Sequence, residues 1–445
     1  MTALTPENIL NTVRTWQSAD LALLQNSYCA LSMTNKKFNN FQNFTANLGD
    51  TVTYNAPYRF RAYPGLVITK QPTTQRVETI TCAQTYNSAI SYTSQQLMFN
   101  VDQYLNEIGK NEIAELGAVV ETDLLLNFIG QMQVEDTQAD NFGTVYTNNG
   151  GFRFWGDGVN SLNTYQQFQQ GVENFKNFGA ASQNMRVVFP NTVQPAVIGN
   201  GLNQFAPTRN NTTAMSWEVG SFGGVEYYTS NLLPIHVAGT IGDASTAGNN
   251  LLTVVSTNDP TGQNVTEITC TEPTSGTDAN AIKIGDLGVF VDGISGKPNM
   301  RFRHFIGHTV SQQPVQMFIT NDAATTAGTV TIKIRTINGV GLVWAANANQ
   351  NLNYPIQAGM KIKIMPSHIA GNIDSGNQFY LSMPRLPDQP PYATSSEQDK
   401  ESGASLRHYY GAAFGENNLS YVRDLIFGAG LLPDNSMRWL WPLTP

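Results

Sequence analysis

The chain has 445 residues, of which only 13% are charged, and its formal net charge is −8. This length accommodates two or three domains, while the negative balance and the lack of any Lys/Arg block argue against a protein that grips nucleic acid over a broad basic face. Asn, Gln, Thr and Ser supply most of the polar residues. Neutral amides and hydroxyls lose less than ions when a partner removes their water, so this composition favours extensive subunit contact, with a compositional bias of the source as the alternative.

The first 48 residues are predicted to form a helix and an arm. Thr5 is placed as an N-cap, Pro6 as the first helical residue and Glu7 as an acid near the positive helix end, so a helix is expected through about Leu24. The Asn-rich stretch that follows is interpreted as an extended arm. The opening MTALTPENIL does not have the form of a secretory signal, and no run approaches the ~20 apolar residues of a membrane span. We therefore expect assembly in the cytoplasm and no membrane contact.

Residues 49–96 are predicted to form an extended β loop. Val52, Tyr54, Val77 and Ile80 alternate with Thr and other residues in the manner of strands. Several prolines interrupt the pattern, which favours two or three strands in a long, partly unsupported hairpin over a central sheet.

Residues 101–132 are predicted to form one long helix. Apolar side chains recur at helical spacing, with Ile113, Leu116 and Val120 on one buried stripe. At ~1.5 Å per residue an unbroken helix of this length would span roughly 48 Å, more than the ~30 Å width of a small domain. Gly109 and Gly117 are the positions at which it would bend. The length indicates a use outside a compact globule.

Two regions of different pattern follow the long helix. A helix is predicted at residues 161–178, with Ser161 as its N-cap and Gly179 after its end, and then a strand, MRVVFP. Residues 237–367 instead contain six short β runs separated by Gly, Thr and Asn turns, which predict a small β-barrel or sandwich with its own core. The runs are LLTVV, VTEITC, IKIGDLGVFVDGI, PVQMFIT, TVTIKIRTI and GMKIKIM. Residues 368–445 resume the mixed α+β pattern, so the β region is interpreted as an insertion.

The sequence contains no recognisable catalytic motif. His304 and His308 have the i, i+4 spacing of helical metal ligands, but their segment has the pattern of a strand and turn, and a chance pair is the preferred interpretation. His408, beside two tyrosines, is interpreted as structural. The cysteines lack CxxC spacing and are expected to be small buried residues; they are Cys29, Cys82 and Cys270. We expect no enzyme, no metal and no cofactor.

Several segments, in order along the chain, resemble a known family. LGDTVTYNAPYRFRAYPG resembles the start of the extended loop in major coat proteins of short-tailed, double-stranded DNA bacteriophages. FNVDQYLNEI and ETDLLLNFI are similar to the turn into that family's long helix and to the helix itself. NLLPIHVAGT resembles the entry into its inserted β-barrel, IKIGDLGVFVDGI its barrel strands, and SLRHYYGAAFG through GAGLLP its C-terminal stretch.

The resemblance implies an α+β fold, that of tailed-phage and herpesvirus major capsid proteins, with an inserted all-β barrel. Its parts would be an N-terminal helix and arm (1–48), an extended β loop (49–96), a peripheral domain with the spine helix and the first part of an axial domain (97–236), the barrel (237–367) and a return to both domains (368–445).

The resemblance also implies self-assembly into the pentamers and hexamers of an icosahedral shell around double-stranded DNA. Scaffolding and portal proteins would be partners, DNA would be contacted weakly and without specificity, and the mature location would be the virion. A β-rich carbohydrate-binding or carbohydrate-cleaving protein, and another virion structural protein, remain the alternatives.

Opposite charges on two segments suggest a contact between subunits. Residues 51–80 carry a net charge of +3 and residues 101–132 a net charge of −5. Opposite fields steer docking and fix register more than they add affinity. We hypothesise that the basic loop of one subunit lies over the acidic helix of the next. The candidate contact residues are Arg59, Arg61, Lys70, Arg76, Glu107, Glu112, Glu115 and Glu121.

Overall fold

The computed structural model describes residues 51–56, 58–66, 68, 70–71, 76–82, 84–93, 109–129, 153–178, 183–201, 221–244, 248–273, 277–304, 307–336, 340–375, 379–387, 393–398, 405–412, 418–431 and 436–443. The predicted N-terminal helix and arm lie outside these ranges, as do residues 101–108 and 130–132 of the predicted long helix. The described chain is mixed but rich in sheet, with few helices.

Three α-helices lie within the described residues: α1 (Lys110–Ile129), α2 (Tyr165–Asn177) and α3 (Gln194–Gly201), the last preceded by a 3-10 turn at Asn191–Val193. The 20 described residues of α1 correspond to ~30 Å of helix. The helix continues through Gly117, and Gly109 forms a π-type turn just before it.

The strands are, in chain order, β1 (Thr51–Ala56), β2 (Arg76–Thr81), β3 (Gln84–Thr93), β4 (Phe154–Trp155), β5 (Met185–Pro190), β6 (Ser221–Phe222), β7 (Val225–Ser230), β8 (Ile235–His236), β9 (Leu251–Thr257), β10 (Glu267–Thr271), β11 (Asp278–Ile282), β12 (Leu287–Phe290), β13 (Arg301–Arg303), β14 (Val310–Pro314), β15 (Gln316–Phe318), β16 (Ala323–Thr325), β17 (Thr329–Lys333), β18 (Lys361–Ile364), β19 (His368–Asp374), β20 (Phe379–Ser382), β21 (Ala393–Gln398), β22 (Ser405–Ala412), β23 (Asn418–Leu431) and β24 (Ser436–Trp441).

The chain divides into two compact units. Among the described residues, unit 1 comprises 79–125, 377–430 and the start of β1, and unit 2 comprises 55–78, 126–376 and the chain after 430. Unit 1 is built on a five-stranded sheet in the order β20-β23-β22-β21, with β3 also paired with β23. The sequence pattern had placed β3 in the extended loop. Its pairing over ten residues with β23 places it in this sheet instead, and β1 and β2 form a separate two-stranded sheet.

The apolar stripe of α1 is buried as predicted, since Ile113, Leu116 and Val120 are each at most 4% exposed. Truncating one of these side chains removes buried apolar atoms and leaves a cavity.

We therefore expect Leu116→Ala to lower the free energy of unfolding by ~2–5 kcal/mol, measured by urea denaturation of the unassembled subunit. The neighbouring exposed Glu115 supplies a matched control, because Glu115→Ala should change it by no more than ~0.5 kcal/mol. Equal midpoints for the two variants would contradict the assignment of the buried face.

A seven-stranded sheet forms one half of unit 2. Its order is β4-β24-β19-β5-β7-β6, and β8 pairs with β19. Helix α2 packs on this sheet through Phe168, whose ring lies 5.3 Å from that of Phe189 and 5.4 Å from that of Trp439. A Cβ at Gly171 would lie 2.7 Å from atoms of Trp155 and Trp439, so this glycine permits the close approach of the helix.

The N-cap of α2 is Thr164 rather than the predicted Ser161. The Thr164 hydroxyl accepts from the backbone N–H of Gln167, and the Gln167 side chain accepts from that of Thr164, forming a capping box. The box needs Glu or Gln three residues after the cap, and Ser161 has Thr in that position. The predicted strand MRVVFP is confirmed as β5.

The other half of unit 2 is a six-stranded sheet in the order β15-β12-β18-β9-β10-β17. Each strand comes from one of the six predicted β runs, although β10, β12, β15 and β18 begin later than their runs do. The run IKIGDLGVFVDGI is broken by a turn at Gly285, where φ is +88°. Among the described residues, the main core cluster of this sheet runs from Ile241 to Ile364 and includes Leu252 and Ile268. Leu287 and Phe318 of the same sheet instead pack with Phe154 and Leu440.

The two outer strands of this sheet are joined beyond their ends. Ile319 and Ile334 form an antiparallel bridge, the N–H of Thr320 donates to the carbonyl of Lys333 at 2.9 Å, and the N–H of Arg335 donates to that of Phe318 at 2.9 Å. Two small sheets, β11 with β16 and β13 with β14, were not predicted. None of the described helices has the length and apolar character needed to cross a membrane.

Candidate subunit-contact surfaces

The segment between β1 and β2 presents apolar side chains to solvent. Leu66 is 103% exposed and Ile68 is 88% exposed, and Tyr58, Phe60 and Tyr63 are also exposed. Full burial of such a side chain contributes ~1.5–3 kcal/mol, so leaving several uncovered in one short segment is costly. Apolar surface of this kind marks interaction sites. We call residues 63–66 and 68 the loop tip.

Hydrogen bonds within the loop fix the base of the tip. The backbone N–H of Arg61 donates to Gln71 Oε1 at 2.9 Å, and Gln71 Nε2 donates in return to the Arg61 carbonyl. The Arg61 guanidinium also donates to Gln350 Oε1 in the loop before β18. Because Gln350 Nε2 donates to the carbonyl of Trp344 at 2.7 Å, the acceptor is itself held. The apolar tip thus stands on a fixed base.

The four basic contact candidates differ in their surroundings. Arg61 is engaged with Gln350, and Arg59 is half-buried against a pocket that Arg153 and Leu342 also line. Lys70 is exposed. Arg76 begins β2, and its side chain lies outside the described part.

The acidic candidates on α1 do not form the expected surface stripe. Glu112 is 8% exposed and pairs with the fully buried Arg423, and Glu121 is 1% exposed. Glu112 lies one turn before Leu116, so it shares the buried face of the helix. Glu115 is exposed, and Glu107 lies outside the described residues. The acidic surface that the sequence indicated is therefore reduced, within the described helix, to Glu115.

A buried polar network holds α1 to the sheet of unit 1. The Arg423 guanidinium lies over the Tyr421 ring at 4.6 Å from its centre, and the Tyr421 hydroxyl is hydrogen-bonded to His408 Nδ1. Burial, followed by the charge of Arg423, lowers the pKa of His408 to about 3, so the imidazole is neutral. The structural interpretation of His408 agrees with these contacts.

A second contact joins the same helix to β3. The Tyr86 hydroxyl donates to Asp123 Oδ2 at 3.3 Å. Burial raises the pKa of Tyr86, with the Asp123 charge adding to the effect, so the phenol keeps its proton as a donor.

Arg423 is the residue that sequence reasoning missed. In β23, Arg423 lies on the same face as Tyr421, Leu425 and Phe427, all of which are buried. An arginine on the apolar face of a strand indicates a buried acidic partner, so the alternation of YVRDLIF was a usable signal.

The groups considered for chemistry have ordinary structural surroundings. Burial lowers the pKa of both His304 and His308. Cys82 and Cys270 are buried thiols, and burial raises the pKa of Cys270 to about 12. Nowhere in the described ranges do three His, Cys, Asp or Glu side chains come together as metal ligands would.

No protein-family model matches the chain, and no curated protein matches it. Solved structures do match. The capsid of Ralstonia phage GP4 is 6% identical, with 94% of this chain and 89% of that chain covered and a TM-score of 0.42. The capsid structure of cyanophage P-SCSP1u is 11% identical over 89% and 84% of the two chains, with a TM-score of 0.37. The mature capsid of bacteriophage PhiM1 is 9% identical over 90% and 83%, also with a TM-score of 0.37.

All three are structures of phage capsids. Because the TM-scores lie below 0.5, the function proposed for this chain rests on its own residues.

Proposed function

We propose that the protein is a structural subunit that functions by self-association. More specifically, we propose a major capsid protein of a tailed bacteriophage, which builds the icosahedral shell around a double-stranded DNA genome. The observation that carries the proposal is the loop tip: Leu66 and Ile68 are uncovered in the single chain while the base of their loop is fixed. A second copy of the chain would cover them, and closed symmetry would repeat that contact around the shell.

The order of elements supports assigning the parts of a tailed-phage capsid subunit to this chain. We assign β1, β2 and the segment between them to the extended loop, α1 to the spine helix, and residues 237–367 to an inserted barrel. For the barrel, the supporting facts are a large core cluster whose described members all lie in this region and the hydrogen bonds that join the outer strands of its sheet. We assign residues 97–236 and 368–445 to the peripheral and axial domains, and residues 1–48 to the arm.

Of the charged residues considered for the subunit contact, Lys70 and Glu115 have side chains that are exposed in the described chain. We propose that Lys70 of one subunit steers toward Glu115 of another, since both are exposed. Exposed pairs contribute only ~0–1 kcal/mol, so this contact would affect the rate and register of docking more than its strength.

The remaining partners follow from the proposed role. Scaffolding and portal proteins would direct assembly in the host cytoplasm, and the mature protein would reside in the virion without a catalytic role. A net charge of −8 suits a wall that contacts packaged DNA weakly and without specificity.

Sedimentation and electron microscopy test the proposal. The purified subunit, concentrated alone or with its scaffolding protein, is expected to form closed particles that sediment far faster than a monomer. A protein that stays monomeric at every concentration, salt and pH, and that binds or cleaves a polysaccharide, would instead support the carbohydrate alternative.

A further inference from the structure

Two short segments connect the six-stranded sheet to the seven-stranded sheet, and we call residues 235–243 and 366–369 the neck. The chain enters through β8 and leaves into β19, and these strands pair, with His236 opposite His368. Next to them, the N–H of Ala238 donates to Ser367 Oγ at 2.8 Å, and the Ser367 hydroxyl donates to Asp243 Oδ2 at 2.6 Å. Entry and exit are therefore tied together.

The carboxylate of Asp286 contacts three segments at this neck. Asp286, fully buried in the turn before β12, lies 2.9 Å from His236 Nε2 through its Oδ1. Its Oδ2 accepts from the backbone N–H of Lys283 at 2.8 Å and from that of Gly239 at 3.2 Å. Asp286 thus binds its own turn, the entry strand and the segment just beyond that strand.

A buried arginine holds the same turn from the side of the seven-stranded sheet. Arg438 in β24 donates from Nη1 to the carbonyl of Gly285 at 3.2 Å and from Nη2 to that of Ile129, the last residue of α1, at 3.3 Å. Its guanidinium lies over the ring of Phe318 in β15, 4.8 Å from the ring centre. Arg438, which belongs to the seven-stranded sheet, therefore contacts both the last residue of α1 and the six-stranded sheet.

Burial shifts the pKa of both Asp286 and Arg438 toward the neutral form, and each side chain opposes the shift of the other. Burial raises the pKa of Asp286 to about 7; the N–H groups of Lys283 and Gly239 and the Arg438 charge oppose this rise, and Asp243 adds to it. Burial and the Arg335 charge lower the pKa of Arg438 to about 9, against the pull of Asp286.

A neutral histidine completes the surroundings of the neck. His368 Nδ1 lies 2.8 Å from the Pro366 carbonyl, which can only accept, so this nitrogen carries the proton. Burial, followed by the charges of His236 and Arg438, holds the pKa of His368 well below the usual value. His368 therefore adds no charge beside Arg438.

We propose that Asp286 and Arg438 are positioning residues that set the orientation of the inserted sheet on the seven-stranded sheet, and through it the geometry of assembly. The assembly part rests on the proposed function. Buried polar and ionisable groups are weak evidence for stability, and fixing one arrangement among several is their better attested use.

The test is Asp286→Asn, which keeps the size of the side chain but turns one acceptor into a donor facing N–H groups. In the unassembled subunit, hydrogen exchange read by mass spectrometry is expected to accelerate at least tenfold in peptides that contain Gly239 and Lys283. Particles of this variant are expected to vary in diameter or to remain open, by electron microscopy, where the unmodified protein gives uniform shells.

Two variants in the same sheet serve as controls. Asp292→Asn removes an exposed partner of Arg301 and should change neither readout. Ile268→Val lowers stability from within the core and should still give uniform shells, which separates positioning from stability. If Asp286→Asn does not fold, Ser367→Ala should produce a smaller acceleration in peptides from the same neck.

Unchanged exchange at the neck would overturn the positioning role of Asp286. Faster exchange together with uniform shells would overturn its effect on assembly. If the unmodified protein builds no particles, the proposed function fails, while the exchange measurement on the subunit still decides whether Asp286 fixes the neck.

Discussion

Replacing Arg423 with leucine is expected to lower the free energy of unfolding by ~3–5 kcal/mol, because Glu112 would remain in the interior without its cation. Both side chains are almost completely shielded from solvent, and the pair joins α1 to β23 in unit 1. Urea denaturation of the unassembled subunit, followed by circular dichroism, measures the loss.

The double variant Arg423→Leu with Glu112→Leu separates the charge from the shape. Well-packed apolar replacements for a buried ion pair are often neutral or stabilising, so the double variant is expected to recover most of the loss. The exposed pair of Lys333 and Glu267 supplies the control, since Lys333→Ala should cost no more than ~1 kcal/mol. If Arg423→Leu lowered the free energy of unfolding as little as Lys333→Ala does, the pair of Arg423 and Glu112 would not hold the helix.

Replacing the loop tip residues, Leu66→Ser with Ile68→Ser, is expected to prevent shell formation while the subunit stays folded. Both side chains are exposed in the single chain, so the free energy of unfolding should change by no more than ~0.5 kcal/mol. If a neighbouring subunit buries them, their loss costs ~3–6 kcal/mol per contact, which weakens each contact more than ~100-fold. Light scattering and sedimentation measure assembly, and thermal unfolding measures the subunit.

Exposed apolar residues elsewhere provide the matched control for the loop tip. Val159 is 64% exposed and Val255 is 47% exposed, and Val159→Ser with Val255→Ser makes a comparable change in surface. This control should assemble as the unmodified protein does. Shells of normal size and rate from the loop tip variant would show that a second copy does not cover the tip.

The secondary structure of residues 237–367 could be predicted from the sequence because its signals are local. All six β runs between 237 and 367 became strands of one sheet, each marked by alternating apolar residues between Gly, Thr and Asn turns. The stripe of Ile113, Leu116 and Val120 was accessible for the same reason, as helical spacing places these residues on one face.

The charged surface of α1 could not be predicted from the sequence in this way. Glu112 and Glu121 count as −2 in the sequence, yet both are buried, and Glu112 is paired with a residue 311 positions away. A charge count treats every ionised residue as surface, and only the fold decides which charges meet a partner inside. A similar separation in sequence, 289 positions, hid the role of Gln350 as the acceptor for Arg61.

Local sequence patterns thus predicted where strands and the long helix form, which of their faces are apolar, and which family the ordered motifs resemble, because these depend on neighbours within a few residues. The packing of distant segments settles that Leu66 and Ile68 stay uncovered, that Arg423 pairs with Glu112, and that Arg438 contacts the turn that contains Asp286. Burial and long-range pairing are set by how distant segments pack together. A local sequence pattern does not specify which distant segment will pack against it.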